Sequence, residues 1–173
     1  DKASFIRSWG KNCELILADK LLVAHPHWSF VQRKIIDGAI PAITNPNAAL
    51  YNSADYAIVQ PTDKGDTELC FDLGTQNCGY IAFDIEAPEG TELDFFAVEY
   101  ISENGSIQHT LSHRNGFRYI CKAGWNTFTS IKRRSGRFIF LTIRNTSNPV
   151  KIRHIHFIES TYPVEYKGYF NSS

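Results

Sequence analysis

The chain has 173 residues, of which 43% are hydrophobic and 21% charged, and its 18 basic and 18 acidic side chains give a formal net charge of zero. A chain of this length is ordinarily one domain with a substantial core. Nucleic acids and anionic membranes are recognised first through a basic surface, so the neutral balance gives no reason to expect either partner, and no run approaches the roughly 20 apolar residues that span a bilayer.

The first 52 residues show no regular pattern and are expected to form an irregular segment that packs on the rest of the chain. Residues 13–24 fit a short helix or a strand equally well by periodicity, and this alternative stays open. Residues 30–36 predict a strand, and the proline and asparagine content of residues 41–52 predicts an extended connection.

From residue 53 onward the pattern is that of an all-β domain. Short apolar or alternating segments are separated by clusters of glycine, proline and asparagine, a spacing that predicts a β-sandwich or jelly roll rather than alternating strands and helices. The predicted strands are residues 56–59, 67–73, two within 79–100, 106–112, 117–121, 125–131, 137–144 and 150–159. A turn is expected at residues 72–77.

Residues 79–100 are the clearest strand pair and predict a hairpin. Ile81, Phe83 and Ile85 share one face, whereas Tyr80, Asp84 and Glu86 fall on the other, as in a half-buried strand. The turn chemistry lies at residues 87–90, where proline fixes φ early and glycine tolerates a positive φ late.

Two later strands have distinctive patterns. Residues 137–144 are apolar on both faces, which predicts a strand in the middle of a sheet. In residues 150–159 the apolar side chains change parity, so a β-bulge near Arg153 and His154 is expected to keep both sets facing the core.

Four cysteines are present, and three pairings exist if all are oxidised. Cys70 and Cys78 flank the predicted turn, so a disulfide between them is one alternative. Small buried thiols are the favoured interpretation for these two and for Cys13 and Cys121. Without a short ligand pair, a zinc site is not predicted.

No catalytic constellation stands out. Asp84 and Glu86 share a strand face, with Asp94 or Glu99 across from them, and two of these could form the carboxylate pair of a glycosidase. Solvated carboxylates are the ordinary alternative. His154 and His156 also share a face, without a third ligand beside them. The basic cluster of residues 132–134 is expected to be a solvated turn, with phosphate or sugar contact as the alternative.

Aromatic side chains could serve a sugar-binding surface, because the C–H face of a sugar stacks on an exposed ring while polar side chains bind its hydroxyl groups. Trp28, Tyr80, Tyr100 and Trp125 are the candidates. Tyr80 is favoured because it shares the polar face with Asp84 and Glu86, and these three residues with Trp125 form the predicted sugar-binding set.

A resemblance to a known family rests on seven segments of the chain, at residues 79–91, 98–100, 116–119, 125–128, 135–138, 158–164 and 168–172. Together, and in this order, they resemble the β-sandwich that precedes the catalytic domain in bacterial α-L-rhamnosidase-like glycoside hydrolases. The likeness covers about residues 66–173, and residues 32–38 are similar to the segment that leads into this domain.

The resemblance implies a non-catalytic module. In that family the catalytic acid and base lie on an (α/α)6 barrel that follows the segment matched by residues 168–172, so no catalytic residue is carried over. The implied architecture is an all-β, jelly-roll-like antiparallel sandwich at residues 53–160, an irregular segment at 1–52, and an exit linker at 161–173 toward a catalytic domain of the same polypeptide.

The parent protein is then expected to be a secreted or periplasmic bacterial enzyme acting on rhamnose-containing glycans. One alternative is a free-standing carbohydrate-binding module for rhamnose or a related sugar, with calcium as a cofactor. Asp63, Asp66 and Asp72 could supply oxygen ligands, although they lack a calcium-loop spacing. A pure scaffold that contacts only neighbouring domains is the other alternative.

Overall fold

The computed structural model describes residues 6–7, 43–50, 54–63, 66–101, 107–108, 115–165 and 167–172. Within these residues the chain is almost entirely β-structure, and none of their helices is long and apolar enough to cross a membrane. The strands are β1 Ile6–Arg7, β2 Ile43–Thr44, β3 Ala57–Val59, β4 Thr67–Ala87, β5 Glu92–Val98, β6 Tyr100–Ile101, β7 Ile107–Gln108, β8 Gly116–Ile120, β9 Gly124–Thr129, β10 Arg134–Arg144 and β11 Val150–Glu159, with a 3₁₀ helix at Pro46–Leu50.

The long strand β4 organises the sheet. The strand order is β2-β3-β11-β4-β10-β5-β8, and β1 and β9 also pair with β4. Every pairing is antiparallel. The first part of β4 pairs with β1 and β10, whereas its second part, from Gly79, pairs with β11 and β9. One strand therefore belongs to two layers.

The two layers pack face to face. Phe83, in the second part of β4, stacks on Phe95 of β5 with ring centroids 4.9 Å apart, although β4 and β5 are not hydrogen-bonded neighbours. Phe117 of β8 stacks on Phe95 from the other side at 5.0 Å, and Phe128 of β9 lies 5.7 Å from Phe83. The predicted all-β antiparallel sandwich is confirmed, with an aromatic core between its layers.

The hairpin predicted at residues 79–100 is wrong, although both strands and the turn are present. Gly90 has a φ of 79° and Thr91 N donates to Pro88 O at 3.3 Å. However, β11 and β9 occupy both edges of β4 there, while β10 and β8 flank β5. The turn is an arch that carries the chain from one layer to the other, so the strands pack through their side chains.

A second arch, between β8 and β9, lies against the first. Gly90 N donates to Cys121 O at 2.9 Å, and Cys121 N donates to Thr91 O at 2.8 Å. The buried amide of Asn126 donates to Lys122 O and Gly124 O and accepts from Lys122 N, all within 3.0 Å. These bonds satisfy the backbone where the chain changes layers.

The turn predicted at residues 72–77 is also wrong, because β4 continues through it. Asp72 and Asn77 are five positions apart on β4, but their partners on β10, Phe138 and Gly136, are only two apart, so the intervening residues bulge out of the ladder. Gly74 supplies the positive φ of 79° that this bulge uses.

The course of β4 also determines whether its two cysteines can form a disulfide. Cys70 and Cys78 lie along one strand rather than across from each other, and Cys78 is a free thiol. The alternative disulfide between them is therefore absent. Cys121 is a buried free thiol, and burial raises its pKa to about 11.

Two strand predictions are confirmed. β10 lies between β4 and β5, with Ile139 and Leu141 in the inter-layer core and Phe140 in a second apolar cluster on its other face. β11 has a register shift between Ile152 and His154, where the bulge was expected. The predictions for residues 13–24 and 30–36, together with Trp28 and Cys13, lie outside the described residues, and the strand predicted at 106–112 is described only at β7.

Candidate functional site: an outer face and an edge pocket

Three of the four predicted sugar-binding residues meet on the outer face of the layer formed by β11, β4 and β9. Lys151, Glu86 and Trp125 form one cross-strand row, and His154, Asp84 and Thr127 form another two residues along. Side chains on neighbouring strands at the same position lie close enough to interact directly. We call the set Tyr56, Asp84, Glu86, Trp125, Thr127, Lys151 and Arg153 the outer-face cluster.

The carboxylates of the outer-face cluster are paired. Asp84, whose side chain is 11% exposed, accepts hydrogen bonds from Thr127 Oγ1 at 2.8 Å and from the Arg153 guanidinium at 2.9 Å. Glu86 accepts from Lys151 Nζ at 2.8 Å, and this bond raises the pKa of Lys151. The charges on this face are thus compensated within the chain.

Trp125 is the aromatic centre of the cluster. The guanidinium of Arg153 lies 4.1 Å from its ring centroid, within cation–π range, and Tyr56 approaches with centroids 6.4 Å apart at 64°. Lys151 Nζ lies 5.2 Å from the Tyr56 ring. Trp125 is half-buried, so part of its ring remains open to a ligand beside a set of polar groups.

Tyr80 does not join this cluster. It lies on the same face, but it pairs with Ile158, four positions along β4 from Asp84, the nearest member of the cluster on that strand. At about 3.3 Å per residue this separation is roughly 13 Å. Tyr100, the other candidate in the described residues, is 53% exposed on β6, in the two-stranded β6–β7 sheet.

Sequence reasoning missed the partners of these residues: Tyr56, Thr127, Lys151 and Arg153. Thr127 follows Trp125 at the alternate position of one strand, a pattern that could have placed it on the same face. Arg153 lies at the bulge, where alternation no longer fixes the direction of a side chain.

The two histidines on this face are neighbours but not a metal centre within the described part of the chain. His154 and His156 have ring centroids 4.8 Å apart. Burial, and then the neighbouring His154, lower the pKa of His156. The described residues contain no group of three histidine, cysteine or acidic side chains that could hold a metal ion.

The acidic residues considered as calcium ligands are held by arginines in two cases. Asp72 binds Arg137 through both carboxylate oxygens at 2.8 Å. Asp66 pairs with Arg144, and burial raises the pKa of Asp66 despite this partner. Asp63 is exposed in a turn.

A pocket of about 340 Å³ opens between β8 and β9. In the described residues β8 pairs only with β5 and β9 only with β4, so the two strands are edges of opposite layers. The pocket therefore lies between the edge strands of the two layers that the described residues form. Its lining residues are Gly116, Phe117, Arg118, Phe128, Ser130, Ile131, Lys132 and Arg134.

Arg134 corrects the expectation that the basic cluster of residues 132–134 is a solvated turn. Lys132 and Arg133 are exposed, but Arg134 is only 6% exposed because it begins β10 rather than ending the turn. Its guanidinium lies 4.6 Å from the ring centroid of Phe117.

Comparison with known proteins agrees with this fold and with the resemblance seen in the sequence. The fold defines an antiparallel β-sandwich domain. Residues 62–161 match the family described as "Bacterial alpha-L-rhamnosidase concanavalin-like domain". The chain belongs to this family.

Solved structures give the same picture. A GH78 family rhamnosidase of Bacillus sp. GL1 is 42% identical with a TM-score of 0.67 over 72% of this chain, yet the match spans only 13% of the rhamnosidase chain. Two further matches have TM-scores too low to support an argument. They are a GH29 fucosidase of Ruminococcus gnavus in complex with fucose (14% identity, TM-score 0.45, 67% of this chain and 22% of that one) and a fucolectin from striped bass serum (15%, 0.40, 62% and 38%). No curated protein matches the chain in a sequence search.

Proposed function

We propose that this chain is the non-catalytic sandwich of a multidomain α-L-rhamnosidase-like glycoside hydrolase, and that it supports the catalytic domain of the same polypeptide. The observation that carries the proposal is the family match over residues 62–161, together with the small share of the related rhamnosidase that the chain spans. The whole enzyme's substrate is proposed to be a rhamnose-containing glycan.

The pairing of the acidic side chains supports a role without hydrolysis. A glycosidase needs one carboxylic acid that can donate a proton and one carboxylate that is open to the substrate. Asp84, Asp94 and Asp72 instead face arginines at 2.6–2.9 Å, and Glu86 faces Lys151 at 2.8 Å. These carboxylates are fixed by structural ion pairs.

Enzymatic inactivity is tested by incubating the purified chain with p-nitrophenyl α-L-rhamnoside. We expect no turnover above the uncatalysed rate. Reproducible turnover that disappears in Asp84→Asn or Glu99→Gln would overturn the proposal, whereas turnover that survives in both variants would point to a contaminating enzyme.

The C-terminal residues support docking to another domain. Tyr162, Val164, Tyr169 and Phe170 are 85%, 65%, 90% and 87% exposed, a concentration of apolar side chains in one segment without regular structure. Such exposed apolar groups are typical of a contact surface. We propose that residues 161–173 lead to the catalytic domain and pack against it.

Docking is tested with the double variant Tyr169→Ser and Phe170→Ser in two contexts. The melting temperature of the isolated chain should not change, because both side chains are already in water. The longer enzyme should melt at a lower temperature, while Ile120→Ser, at a residue 65% exposed on β8, should have no such effect. An unchanged longer enzyme would contradict docking.

A second candidate function is direct glycan contact at the outer-face cluster, favoured by the half-buried Trp125 among polar side chains. Calorimetric titration with L-rhamnose and a rhamnose-rich oligosaccharide, with and without calcium, tests it. We expect Trp125→Ala to weaken binding by about 1–3 kcal/mol, and Tyr80→Ala to weaken it less because Tyr80 lies elsewhere on the face. Tyr100→Ala is the control, and equal affinity in all three variants would exclude this surface.

A further inference from the structure

Arg134 carries a buried positive charge without a counter-ion among the described residues. Its guanidinium donates to the carbonyl oxygens of Lys132 at 2.7 Å and Gly116 at 3.3 Å, and its Nε has no hydrogen-bond partner in that part of the chain. Burial lowers its pKa. A buried cation is costly unless an anion pairs with it. A negatively charged ligand in the pocket would therefore offset this cost.

The other arginine that lines the pocket, Arg118, is paired with carboxylates. It binds Asp94 through two bonds of 2.6 and 2.8 Å and Glu92 through a third of 2.8 Å. The positive charge of Arg118 is therefore already compensated within the chain. Lys132, exposed at the pocket rim, has no ion pair within the described residues. The pocket thus has a net positive lining.

The remaining lining residues are Phe117 and Phe128 together with Gly116, Ser130 and Ile131. Arg134 lies over one face of Phe117 and Phe95 stacks on the ring as well, so Phe128 is the aromatic side chain left for a ligand. A volume of about 340 Å³ falls at the lower end of the range of about 300–1,000 Å³ usual for small-molecule sites. The pocket combines a cation at a fixed position with an apolar surface that can contact one ring.

We propose that the edge pocket binds a carboxylate-bearing sugar, a hexuronic acid residue, with its carboxylate paired to Arg134 and its ring against Phe128. A guanidinium matches a carboxylate in shape and forms charge-assisted hydrogen bonds with it. The C–H face of a pyranose suits an aromatic side chain such as Phe128. Lys132 adds a second positive charge at the entrance.

This site is separate from the outer-face cluster. Phe128 points between the layers, where its position pairs with Phe83, whereas Trp125 lies on the opposite face of β9. Binding in the pocket therefore does not depend on glycan contact at Trp125. The two sites can be told apart by which backbone amides respond to a ligand.

The test is titration of the full chain with sodium D-glucuronate and sodium D-galacturonate, with D-glucose, sodium acetate and inorganic phosphate as comparisons at equal ionic strength. We expect saturable binding of a uronate, followed by calorimetry and by amide chemical shifts in β8 and residues 130–134. Shifts confined to residues 84–86 and 125–127 would place the ligand on the outer face and overturn the proposal.

The variants separate a specific contact from general charge. Arg134→Gln should weaken uronate binding about tenfold or more, and Lys132→Gln should weaken it severalfold without disturbing the fold, since Lys132 is exposed. Arg133→Gln makes the same change in net charge next to the pocket, is not part of its lining, and should leave binding unchanged. Lys132→Gln keeps the test decisive if Arg134→Gln fails to fold.

Each remaining outcome counts against the proposal. Acetate or phosphate binding as tightly as a uronate would show an anion site without ring recognition. Glucose binding as tightly would show that the carboxylate contributes nothing. Equal losses of uronate affinity in Arg133→Gln and Lys132→Gln would mean that the uronate responds only to the net charge of the chain. If neither uronate binds, the proposed ligand is wrong.

Discussion

The outer-face cluster and the edge pocket use similar side chains but leave them in different electrostatic states. On the outer face, Arg153 contacts both the Trp125 ring and the carboxylate of Asp84. In the pocket, Arg134 contacts the Phe117 ring but meets only carbonyl oxygens, with no carboxylate among the described residues. The guanidinium of Arg153 is neutralised within the chain, whereas that of Arg134 meets no carboxylate in the described part of the chain.

The comparison shows why an aromatic ring and an arginine together do not identify a binding site. Where the charge is already paired, a ligand must displace existing hydrogen bonds, and the net gain is small. Where a buried charge lacks a partner, a ligand that supplies the opposite charge adds an interaction without breaking one. Removing carboxylates or the unpaired arginine should therefore have effects of different sizes.

The largest effect is expected for Asp94→Asn, which breaks the pairing of Arg118 beside the pocket. Asp94 is 2% exposed and binds Arg118 Nε and Arg144 Nε, each at 2.6 Å. Because Arg144 is only 4% exposed, losing this carboxylate should lower the free energy of unfolding by about 3–5 kcal/mol. Urea denaturation measures the loss.

Glu92→Gln is the control for this prediction. Glu92 is 27% exposed and makes a single contact with Arg118, so its removal should cost no more than about 1 kcal/mol. Equal losses in the two variants would mean that Asp94 acts as a surface carboxylate and that Arg118 is not held by a buried pair.

A smaller effect is expected for Asp84→Asn on the outer face. The change weakens the bonds to Thr127 and Arg153. Asp84 is buried, but its partner Arg153 is 36% exposed, so the unfolding free energy should fall by about 1–3 kcal/mol. Glu86→Gln, at a side chain 33% exposed, should cost less than about 1 kcal/mol. A loss in Glu86→Gln that exceeds the loss in Asp84→Asn would reverse the proposed order of the two ion pairs.

Arg134→Met should change stability less than Asp94→Asn or Asp84→Asn, although Arg134 is buried, as are Asp94 and Asp84. It removes a buried cation that has no carboxylate partner among the described residues, but it also removes the donors to Lys132 O and Gly116 O. The net change in unfolding free energy should therefore stay within about 1 kcal/mol. Denaturation in urea checks this. A loss above about 3 kcal/mol is the scale of a broken buried pair. It would mean that Arg134 stabilises the fold as a paired arginine does, and that Arg134 and Arg153 do not differ in the way proposed.

The sequence predicted those features that depend on local pattern. Alternation placed Asp84 and Glu86 on one face of a strand, a change of parity predicted the bulge in β11, and the doubly apolar segment now seen as β10 was expected inside a sheet. Each follows from the two-residue period of a strand. The family resemblance supplied the modular role.

Features that depend on long-range pairing were not accessible in the same way. Pro88 and Gly90 suit a turn within a hairpin and a turn between layers equally well. The turn is an arch between layers because β11 and β9 pair with the two edges of β4 and leave none for β5. Similarly, Arg134 belongs to a basic cluster that is ordinarily solvated. Its burial follows from β10 beginning earlier, at a place where Gly136 approaches Val98 so closely that an added Cβ would lie 2.9 Å from the backbone nitrogen.

The smallest effect concerns pH, and it too separates the two regions. The pKa of His156 is lowered in the folded chain by burial and by His154, so the unfolded chain takes up a proton first as pH falls through the ordinary histidine value of 6.5. Stability should therefore decline slightly on acidification from about pH 8 to pH 5. His156→Gln should flatten this dependence relative to the parent chain, as measured by urea unfolding at each pH. Arg134→Met should keep the parent chain's slope of unfolding free energy against pH, because a guanidinium does not titrate in this range. A slope that changes in Arg134→Met but not in His156→Gln would place the pH-sensitive group at the pocket instead of on the outer face.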